Sequence, residues 1–506
     1  MAGMRRRGFH FDVGCQSFED MGIVFPLLEG YGLGDLASFR RARYRVVMPG
    51  LDVAIESLPQ TREAFQRAFP ESAAALGRCF DLHERTSALV RDLFAPGRVP
   101  FTRDGGNASL WRWVLSALAA SPETAAARLR DLRTWLHEDF ERYYERSLPP
   151  SVARDLLSRC GYSRMNVFVA SAFWHLWAHD YWYPEGGFQR LFARWVSRLE
   201  ARGVRFLFKR AVVGLDVRGD RVRAVRTQRG EELEADEVVY TGDPLQALAL
   251  VGRSRYPART ARRVERARHS DALVSVYLGL DLEPEALRDR LGTDHVFYFP
   301  ARTCRTALDD GVDAHRRAFL EVTAHAAFDP TLAPPGRTGL VLQAFTRHDW
   351  QDGWRTGLSG DTGREGRPGP RPAAYRSLKR RVADELLATF EGLVPGASGR
   401  VAFVDVGAPP STVRFTRNPF GGSCWFELSW RNFPFASPLG NAGTPLRNLH
   451  AAGHFTVWPG AVPTAALSGR IAALRADARL RRRPRVPAAA QQHVEPAVTE
   501  EGRGAA

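Results

Sequence analysis

Hydrophobic and polar residues alternate along several short stretches of this chain, and such alternation predicts β-strands with one buried face. The stretch "FHFDVG", residues 9–14, has this pattern, and "YRVVMPGLDVAIES", residues 44–57, alternates like a hairpin. Between them, the apolar residues of "FEDMGIVFPLLEGYGLGDL", residues 18–36, have helical spacing up to a glycine break. The start of the chain therefore predicts a strand, a helix and a hairpin.

The central part of the chain passes from helices to a mixture of helices and strands. Residues 61–159 have mostly helical apolar spacing and predict a helical layer. In residues 166–217, aromatic side chains crowd before a proline and two glycines, and an amphipathic helix and strands follow. A hairpin turn at 229–230 then leads to an apolar strand that ends in Thr-Gly-Asp, residues 241–243. This order suits a nucleotide-binding sheet with an attached β-meander.

The last part of the chain predicts a second mixed region and an exposed loop. The loop, Trp354 to Pro372, is rich in glycine, proline and arginine. From Arg481 onward, arginine, proline, alanine and glutamate dominate, which predicts a disordered tail. The elements predicted in this part of the chain are strands at 272–282, 295–300, 338–346, 401–409 and 448–453, and helices at 373–393 and 461–480.

Composition narrows the class of protein. With 506 residues, 44% of them apolar, the chain is long enough for two or more globular domains. The net charge of +15 comes almost entirely from arginine, because the chain has only two lysines, Lys209 and Lys379. That bias is typical of a GC-rich genome, and no nucleic-acid-binding motif accompanies it. We therefore expect no nucleic-acid partner.

Cysteine and histidine positions give no sign of a disulfide framework or a metal site. The five cysteines are far apart and form no CxxC pair, which favours a reducing cytoplasm. His175 and His179 have helical i, i+4 spacing but lack a third ligand, so we expect ordinary histidines and no metal. No apolar run reaches the roughly 20 residues that cross a bilayer, so any membrane contact would be peripheral.

The stretch "NLHAAGHFTVWPGAVPTAALSGRIAA", residues 448–473, carries the clearest chemistry. It reads as a strand, a glycine, a loop and a helix that begins after Gly460. A helix N-terminus of this kind suits the pyrimidine edge of a flavin, where negative charge accumulates on reduction. The small residues Gly460, Ala461, Ala465 and Ala466 would let the ring come close. A glycine turn of this type also occurs for packing alone, and both interpretations stay open here.

Seven aromatic residues crowd the segment 168–183. They could line a tunnel for a long polyene, which packs by dispersion against aromatic rings. They could equally form the buried core of a substrate domain. The residues predicted to line a substrate pocket are Phe173, Trp174, Trp177 and Trp182.

Several of these segments together resemble the phytoene desaturase-like flavoproteins, a family of carotenoid desaturases, carotenoid isomerases and retinol saturases. The resemblance rests on "GFHFDVG", on "YWYPEGGFQRLFARWVSRLEARGVRFLFKRAVVGLDV", on "ADEVVYTGDP", on "STVRFTRNPFGGSCWFE" and on the closing segment. It implies FAD as cofactor and an apolar isoprenoid or carotenoid as substrate. The cofactor-binding residues it implies are Val212, Gly453, His454, Pro459, Gly460, Val462 and Ala466.

The resemblance also implies a division into domains. The fold class is α/β (α+β), with an FAD-binding Rossmann-like domain of the glutathione-reductase/amine-oxidase type and a mixed helical and sheet substrate domain. The FAD-binding domain is predicted at residues 1–55, 184–250 and 395–480. The substrate domain is predicted at 56–183 and 251–394, and the disordered tail at 481–506.

The chain departs from the family pattern in two places. His454 stands where many relatives of the wider flavin-oxidase group have an acidic residue. In addition, the nucleotide-binding unit of the family, a strand, a GxGxxG turn, a helix and a second strand with an acidic end, does not precede "GFHFDVG". The glycines of "EGYGLGDL", residues 29–36, do not have GxGxxG spacing, and we interpret this stretch as the end of a helix. The hypothesis is an N-terminally truncated flavoprotein that binds FAD poorly, which translation of the upstream in-frame DNA would test.

The functional prediction is an FAD-dependent oxidoreductase that desaturates, isomerises or saturates an isoprenoid, with no catalytic side chain assigned. An alternative is a non-catalytic remnant that binds an isoprenoid or a partner without flavin. Amine oxidation ranks lower, because the Tyr-Pro-x-Gly-Gly segment and the closing Pro-Gly-x-Val pattern fit the carotenoid group better. The basic surface is expected to allow peripheral contact with an anionic membrane.

Overall fold

The computed structural model describes residues 3–93, 122–300, 311–356, 372–424, 426–429, 432, 444–457 and 460–482. The predicted cofactor residue Pro459 lies outside the described residues. So do most of the predicted loop at 354–372 and the predicted tail from residue 483 onward.

The helices and strands alternate along much of the chain. The strands are β1 (Gly3–Arg6), β2 (Phe9–Asp12), β3 (Phe39–Arg41), β4 (Tyr44–Met48), β5 (Leu51–Ala54), β6 (Trp182–Pro184), β7 (Val212–Arg218), β8 (Arg221–Thr227), β9 (Glu232–Glu234), β10 (Val238–Tyr240), β11 (Ala272–Leu280), β12 (His295–Tyr298), β13 (Leu320–Thr323), β14 (Thr338–Thr346), β15 (Val401–Gly407) and β16 (Leu449–Ala451). The helices are α1 (Val24–Gly30), α2 (Leu58–Ala68), α3 (Ala73–Leu93), α4 (Pro122–His137), α5 (Phe140–Ser147), α6 (Val152–Leu157), α7 (Val167–His179), α8 (Gly187–Glu200), α9 (Pro244–Val251), α10 (Ala258–Arg266), α11 (Pro284–Leu291), α12 (Ala373–Leu393), α13 (Pro409–Thr416) and α14 (Val462–Arg481).

A seven-stranded sheet in the order β15-β11-β14-β13-β12-β4-β5 forms the largest layer. Its central strands β11 and β14 pair antiparallel along their whole length, and every residue of β14 is buried. Helix α12 covers one face with Leu378, Val382, Leu386 and Phe390 in a single apolar cluster with the strands. Burial on both faces explains why "TGLVLQAFT" has apolar residues at successive positions on both faces, with Gln343 hydrogen-bonded to Ser275.

Strands β10 and β16 form a separate parallel pair, in which Val238 lies opposite Leu449 and Tyr240 opposite Ala451. The neighbouring β7-β8-β9 meander includes the hairpin predicted at 229–230, since β8 and β9 pair antiparallel across that turn. Both parallel strands end at the same edge and are followed by glycine-containing turns. Ligands of open α/β sheets bind at such edges.

Two segments that the sequence assigned to the FAD-binding domain pair with strands from the predicted substrate domain in the seven-stranded sheet. The predicted hairpin at 44–57 forms as β4 and β5, but β4 pairs parallel with β12 of the large sheet. Strand β15 pairs with β11 of the same sheet. Alternation of residues predicts that a strand forms and not which sheet it joins, because the partner is set by tertiary contacts. The other domain boundaries stay predictions.

The opening segment forms a hairpin of β1 and β2 that packs across the large sheet. Phe9 and Phe11 lie directly over Gly279 and Gly339, where a Cβ atom on Gly279 would stand 2.6 Å from the Phe9 ring. Glycine in these two strands therefore makes room for the phenylalanines. This contact positions the segment that follows β2 beside the site.

Candidate active site

One cavity of about 1560 Å³ connects the edge of the β10–β16 pair with the aromatic helix α7. Its wall includes Gly242 and His454 at one end, and Phe173 and Trp177 at the other. The structure thus joins two of the segments singled out in the sequence. A cavity of this size with a mainly apolar surface is typical of a small-molecule site.

The edge of the parallel pair requires glycine at position 453. Gly453 has φ +93°, and a Cβ atom there would stand 2.9 Å from the Thr241 carbonyl oxygen. Its N–H donates to Ser468 Oγ over 2.8 Å, which ties the strand end to helix α14. A side chain at this position would therefore push β10 and β16 apart.

Helix α14 begins at this edge with small residues facing the cavity. No side chain caps its first turn, and the N-cap residue is Ala461. Gly460, Ala461, Val462, Ala465 and Ala466 all belong to the cavity wall. An uncapped helix N-terminus beside an open cavity favours a ligand with partial negative charge.

His454 contributes a polar group to the same part of the wall. Its Nε2 atom is buried and has no hydrogen-bond partner among the described residues. Burial lowers the pKa of His454 to about 4, so the imidazole is neutral at pH 7. A neutral imidazole with a free nitrogen can donate to, or accept from, a ligand.

These groups fit a flavin ring. An uncapped helix N-terminus, a row of small side chains and an unpartnered imidazole nitrogen face one space. Val212, predicted to contact the adenine, instead lies at the start of β7, 41% exposed and outside the cavity wall. Its role stays a prediction.

The aromatic segment divides between the cavity and the core. Phe173 and Trp177 line the cavity with their rings stacked 5.7 Å apart, as residues four positions apart on one helix face should. Trp174 points elsewhere, because one residue is a rotation of about 100° on a helix. It is 3% exposed and packs edge-on against Phe65 at 5.9 Å.

Trp182 is also absent from the described cavity wall. It lies on β6, where its Nε1 donates to Asp180 over 2.9 Å and its ring meets Phe25 edge-on at 5.2 Å. The prediction of a pocket role for Trp174 and Trp182 therefore differs from their observed positions. Aromatic content alone does not separate the wall from the core: helical phase separates Trp177 from Trp174, and Trp182 lies on a strand.

His175 and His179 have their rings 5.2 Å apart, and His175 Nδ1 lies 2.7 Å from Ser87 Oγ. Within the described ranges, no group of three or more potential ligands could hold a metal ion.

Sequence reasoning missed a buried carboxyl that joins three segments. Asp12, at the end of β2, accepts a hydrogen bond from Tyr183 Oη over 2.7 Å and from the Phe188 N–H over 3.2 Å. It thereby ties β2 to the Tyr-Pro-x-Gly-Gly turn and the first turn of α8. No periodicity could show this, because the partner residues lie more than 170 positions away.

The stability of the chain is expected to depend on the protonation of Asp12. Burial raises its pKa from 3.8 to about 6, so between these values the folded chain keeps a proton that the unfolded chain releases. The stabilisation is complete below about pH 3.8 and is lost as the pH rises through about 6, a change of about 3 kcal/mol. Urea unfolding from pH 4 to 7 should show a smaller fall in the free energy of unfolding for Asp12→Asn than for the wild type.

Asp477→Asn is the matched control, since Asp477 is exposed and pairs with Arg481 on the surface of α14. It should keep the wild-type pH dependence. An equal pH dependence in Asp12→Asn and the wild type would contradict the role given to Asp12.

A second polar cluster lies behind the cavity wall. Ser17 Oγ, at the wall, is 2.7 Å from His295 Nε2, and His325 Nδ1 is 3.3 Å from Asp294 Oδ1. Burial opposes ionisation of Asp294, but His325 and Arg40 outweigh it and hold its pKa below the ordinary value. This cluster fixes the segment after β2 against strand β12.

Comparison with known proteins gives the family. The model of the family described as flavin containing amine oxidoreductase matches residues 1–362. That match covers well over half of the 506 residues. The chain belongs to this family.

Curated relatives of this flavin-containing oxidoreductase include a phytoene dehydrogenase from Streptomyces griseus, 28% identical over 314 residues, which are 60% of this chain and 55% of the relative. An all-trans-retinol 13,14-reductase from Danio rerio is 23% identical over 295 residues, 54% of this chain and 46% of the relative. An all-trans-zeta-carotene desaturase from Myxococcus xanthus is 32% identical over 188 residues, 35% of this chain and 34% of the relative. The chain spans about half the length of the first two.

Solved structures show the same fold at low identity. A putrescine oxidase bound to putrescine has a TM-score of 0.53 at 14% identity, over 95% of this chain and 90% of the other. An oxidoreductase from Methanosarcina mazei has a TM-score of 0.50 at 13% identity, over 92% and 89%.

These findings confirm three predictions for this flavin-containing oxidoreductase. The first is the resemblance to the phytoene desaturase-like group. The second is the α/β fold class of the amine-oxidase type, and the third is FAD as the cofactor.

Proposed function

We propose that this oxidoreductase acts on a carotenoid or another apolar isoprenoid. The observation that carries the proposal is the single cavity that runs from the uncapped end of α14 to the aromatic face of α7. The phytoene dehydrogenase and the zeta-carotene desaturase among its relatives support the substrate class.

One end of this cavity would bind the flavin, and the other end would bind the isoprenoid. The first turn of α14 and His454 would hold the flavin ring, which supplies hydride transfer when bound. Phe173, Trp177 and Tyr181 would hold the isoprenoid in place by dispersion and exclude water from it. Desaturation, isomerisation and saturation of one double bond all need a flavin ring beside an isoprenoid held in a dry apolar space. The three reactions therefore share the proposed substrate class and the use of the flavin.

The test uses the full chain loaded with FAD under anaerobic conditions. Phytoene, zeta-carotene, retinol and putrescine are each mixed with it in detergent, and the flavin absorbance near 450 nm is followed together with the absorbance of the polyene. We expect an isoprenoid to change the flavin or polyene spectrum and putrescine to leave it unchanged. Reduction of the flavin by putrescine alone would overturn the proposal, and isoprenoid binding to a chain that retains no FAD would favour the non-catalytic alternative.

We also propose that the opening of the cavity rests on an anionic membrane. Phe415, near the end of α13, belongs to the cavity wall and is 80% exposed, so it lies at the opening. Arg6, Arg414 and Arg417 lie on the same rim. An exposed aromatic ring among arginines suits the headgroup region of an anionic bilayer, from which a water-insoluble substrate would be drawn. No helix in the described ranges is long and apolar enough to cross a membrane.

Phe415→Ser is expected to weaken binding to vesicles of phosphatidylglycerol and phosphatidylcholine. Burying the ring in the interface contributes about 1.5–3 kcal/mol, so binding should fall roughly tenfold or more. Co-sedimentation with vesicles measures this, with Phe208→Ser as the matched control, because Phe208 is 68% exposed and outside the cavity wall. Binding by the wild type that is absent, or insensitive to salt, would count against the membrane contact.

A further inference from the structure

Glu19 is a buried carboxyl in the wall of the cavity. It lies in the segment between β2 and α1 and is 7% exposed. Two residues further on, Met21 packs against the cluster of Ile23, Leu467 and Ile471 that joins α1 to α14. The segment that carries Glu19 is therefore held against the helix that forms the flavin end of the cavity.

Four acidic residues belong to the described cavity wall, and three of them have structural partners. Asp243 accepts hydrogen bonds from the first turn of α9, over 2.7 Å from the Leu245 N–H. Asp405 pairs with Arg6 at 3.9 Å, and Glu321 Oε1 lies 3.5 Å from His295 Nδ1. Within the described part of the chain, Glu19 has no ion pair and no hydrogen bond to another residue. Its carboxyl therefore has no structural task there.

The groups around Glu19 disfavour its charge. The negative charge of Asp180, in the turn before β6, repels a negative charge on Glu19. The charge of Glu19 in turn raises the pKa of Cys15, of Tyr44 on β4 and of Tyr181. Glu321 of β13 acts on the same two tyrosines, and the cation Arg41 of β3 acts on Asp180 and Tyr44. Burial raises the pKa of Glu19 to about 7, with Asp180 adding to the shift. Such a carboxyl exchanges a proton near neutral pH, as general acids and bases do.

We propose that Glu19 is a catalytic residue that exchanges a proton with the isoprenoid substrate. This rests on the proposed function. In a desaturation, one substrate carbon gives a hydride, with two electrons, to the oxidised flavin, and the neighbouring carbon gives a proton to the Glu19 carboxylate. Two C–H bonds break, the C–C bond becomes C=C, and the flavin is reduced. In a saturation the flows would reverse: a reduced flavin would supply a hydride to one carbon of the C=C bond and the Glu19 carboxyl would give its proton to the other, so that two C–H bonds form, the C=C bond becomes C–C and the flavin is left oxidised.

Glu19→Gln tests the proposal, because glutamine has nearly the same size and cannot take the proton. Glu29→Gln is the matched control, since Glu29 is exposed on α1 and outside the cavity wall. Infrared titration of the full chain should show a protonated carboxyl that disappears with a midpoint near pH 7 in the wild type and in Glu29→Gln. Burial also raises the pKa of Glu141 to about 7, so in Glu19→Gln the band should lose the contribution of one carboxyl and keep that of Glu141, whether or not substrate is present.

The second readout is the anaerobic rate of flavin reduction by the isoprenoid that reacts with the wild type. That rate should rise with pH and level off above about 7, because the base must be ionised. In Glu19→Gln it should be about 10²- to 10⁴-fold slower and independent of pH over this range, with unchanged affinity for the isoprenoid. Glu19→Asp should retain the pH dependence at a reduced rate, and it serves as the test if the glutamine variant does not fold.

The outcomes separate the two proposals. A wild-type rate and pH profile in Glu19→Gln would overturn the role of Glu19 and leave the proposed function standing. Failure of every isoprenoid to bind or to reduce the flavin, in the wild type as well, would overturn the proposed function and the role of Glu19 with it.

Discussion

Leucine in place of Ala466 is expected to remove most of the flavin from the purified protein. Ala466 lies on the first turns of α14 and belongs to the cavity wall, so three added carbon atoms would enter the space that fits the ring. Overfilling a packed site costs about 1–3 kcal/mol, which corresponds to about a 5- to 150-fold loss of affinity. The ratio of flavin absorbance to protein absorbance, and titration of the apoprotein with FAD, measure the effect.

Ala473→Leu is the control for this substitution. Ala473 lies on the same helix and is exposed. Leucine at position 473 changes the helix propensity by the same amount as leucine at position 466 and leaves the cavity wall unchanged. The melting temperatures of the two variants without flavin should be similar. Full flavin content in Ala466→Leu would contradict the placement of the ring at the N-terminus of α14.

Alanine in place of Trp174 is expected to lower the free energy of unfolding by about 3–5 kcal/mol, because it leaves a large cavity in the core. The ring lies 5.6 Å from Phe80 and 5.1 Å from Trp177, and it stacks on His83 at 6.0 Å. Helices α3 and α7 would lose a main contact between them. Urea unfolding at pH 7 measures this change.

Trp177→Leu gives the contrast, since its ring is part of the cavity wall. It should weaken isoprenoid binding more than Trp174→Ala does, as measured by the shift in polyene absorbance on binding. Equal loss of binding in both variants, at a temperature where both are folded, would contradict the division of α7 into a cavity face and a core face.

The sequence predicted local structure well where it depends on neighbouring residues. The hairpins at 44–54 and around Arg229 and Gly230 formed as expected, because alternation and turn residues are local signals. The strand and helix of the closing segment formed as β16 and α14. The glycine at 453 was recognised as well, although its reason, the Thr241 carbonyl, lies in another strand.

Sequence by itself predicted the element types, since these follow from local periodicity, and the resemblance of several segments to a known family implied the family and the flavin. Only the tertiary structure decided that Trp177 faces the cavity while Trp174 lies in the core, and that β4 and β15 join one sheet. It alone placed Asp12 beside Tyr183 and put Glu19 in the cavity wall, with no ion pair to another residue among those that the structure describes. The physical reason is that burial and partner choice depend on residues more than a hundred positions apart, and the spacing of residues along the chain carries no record of them.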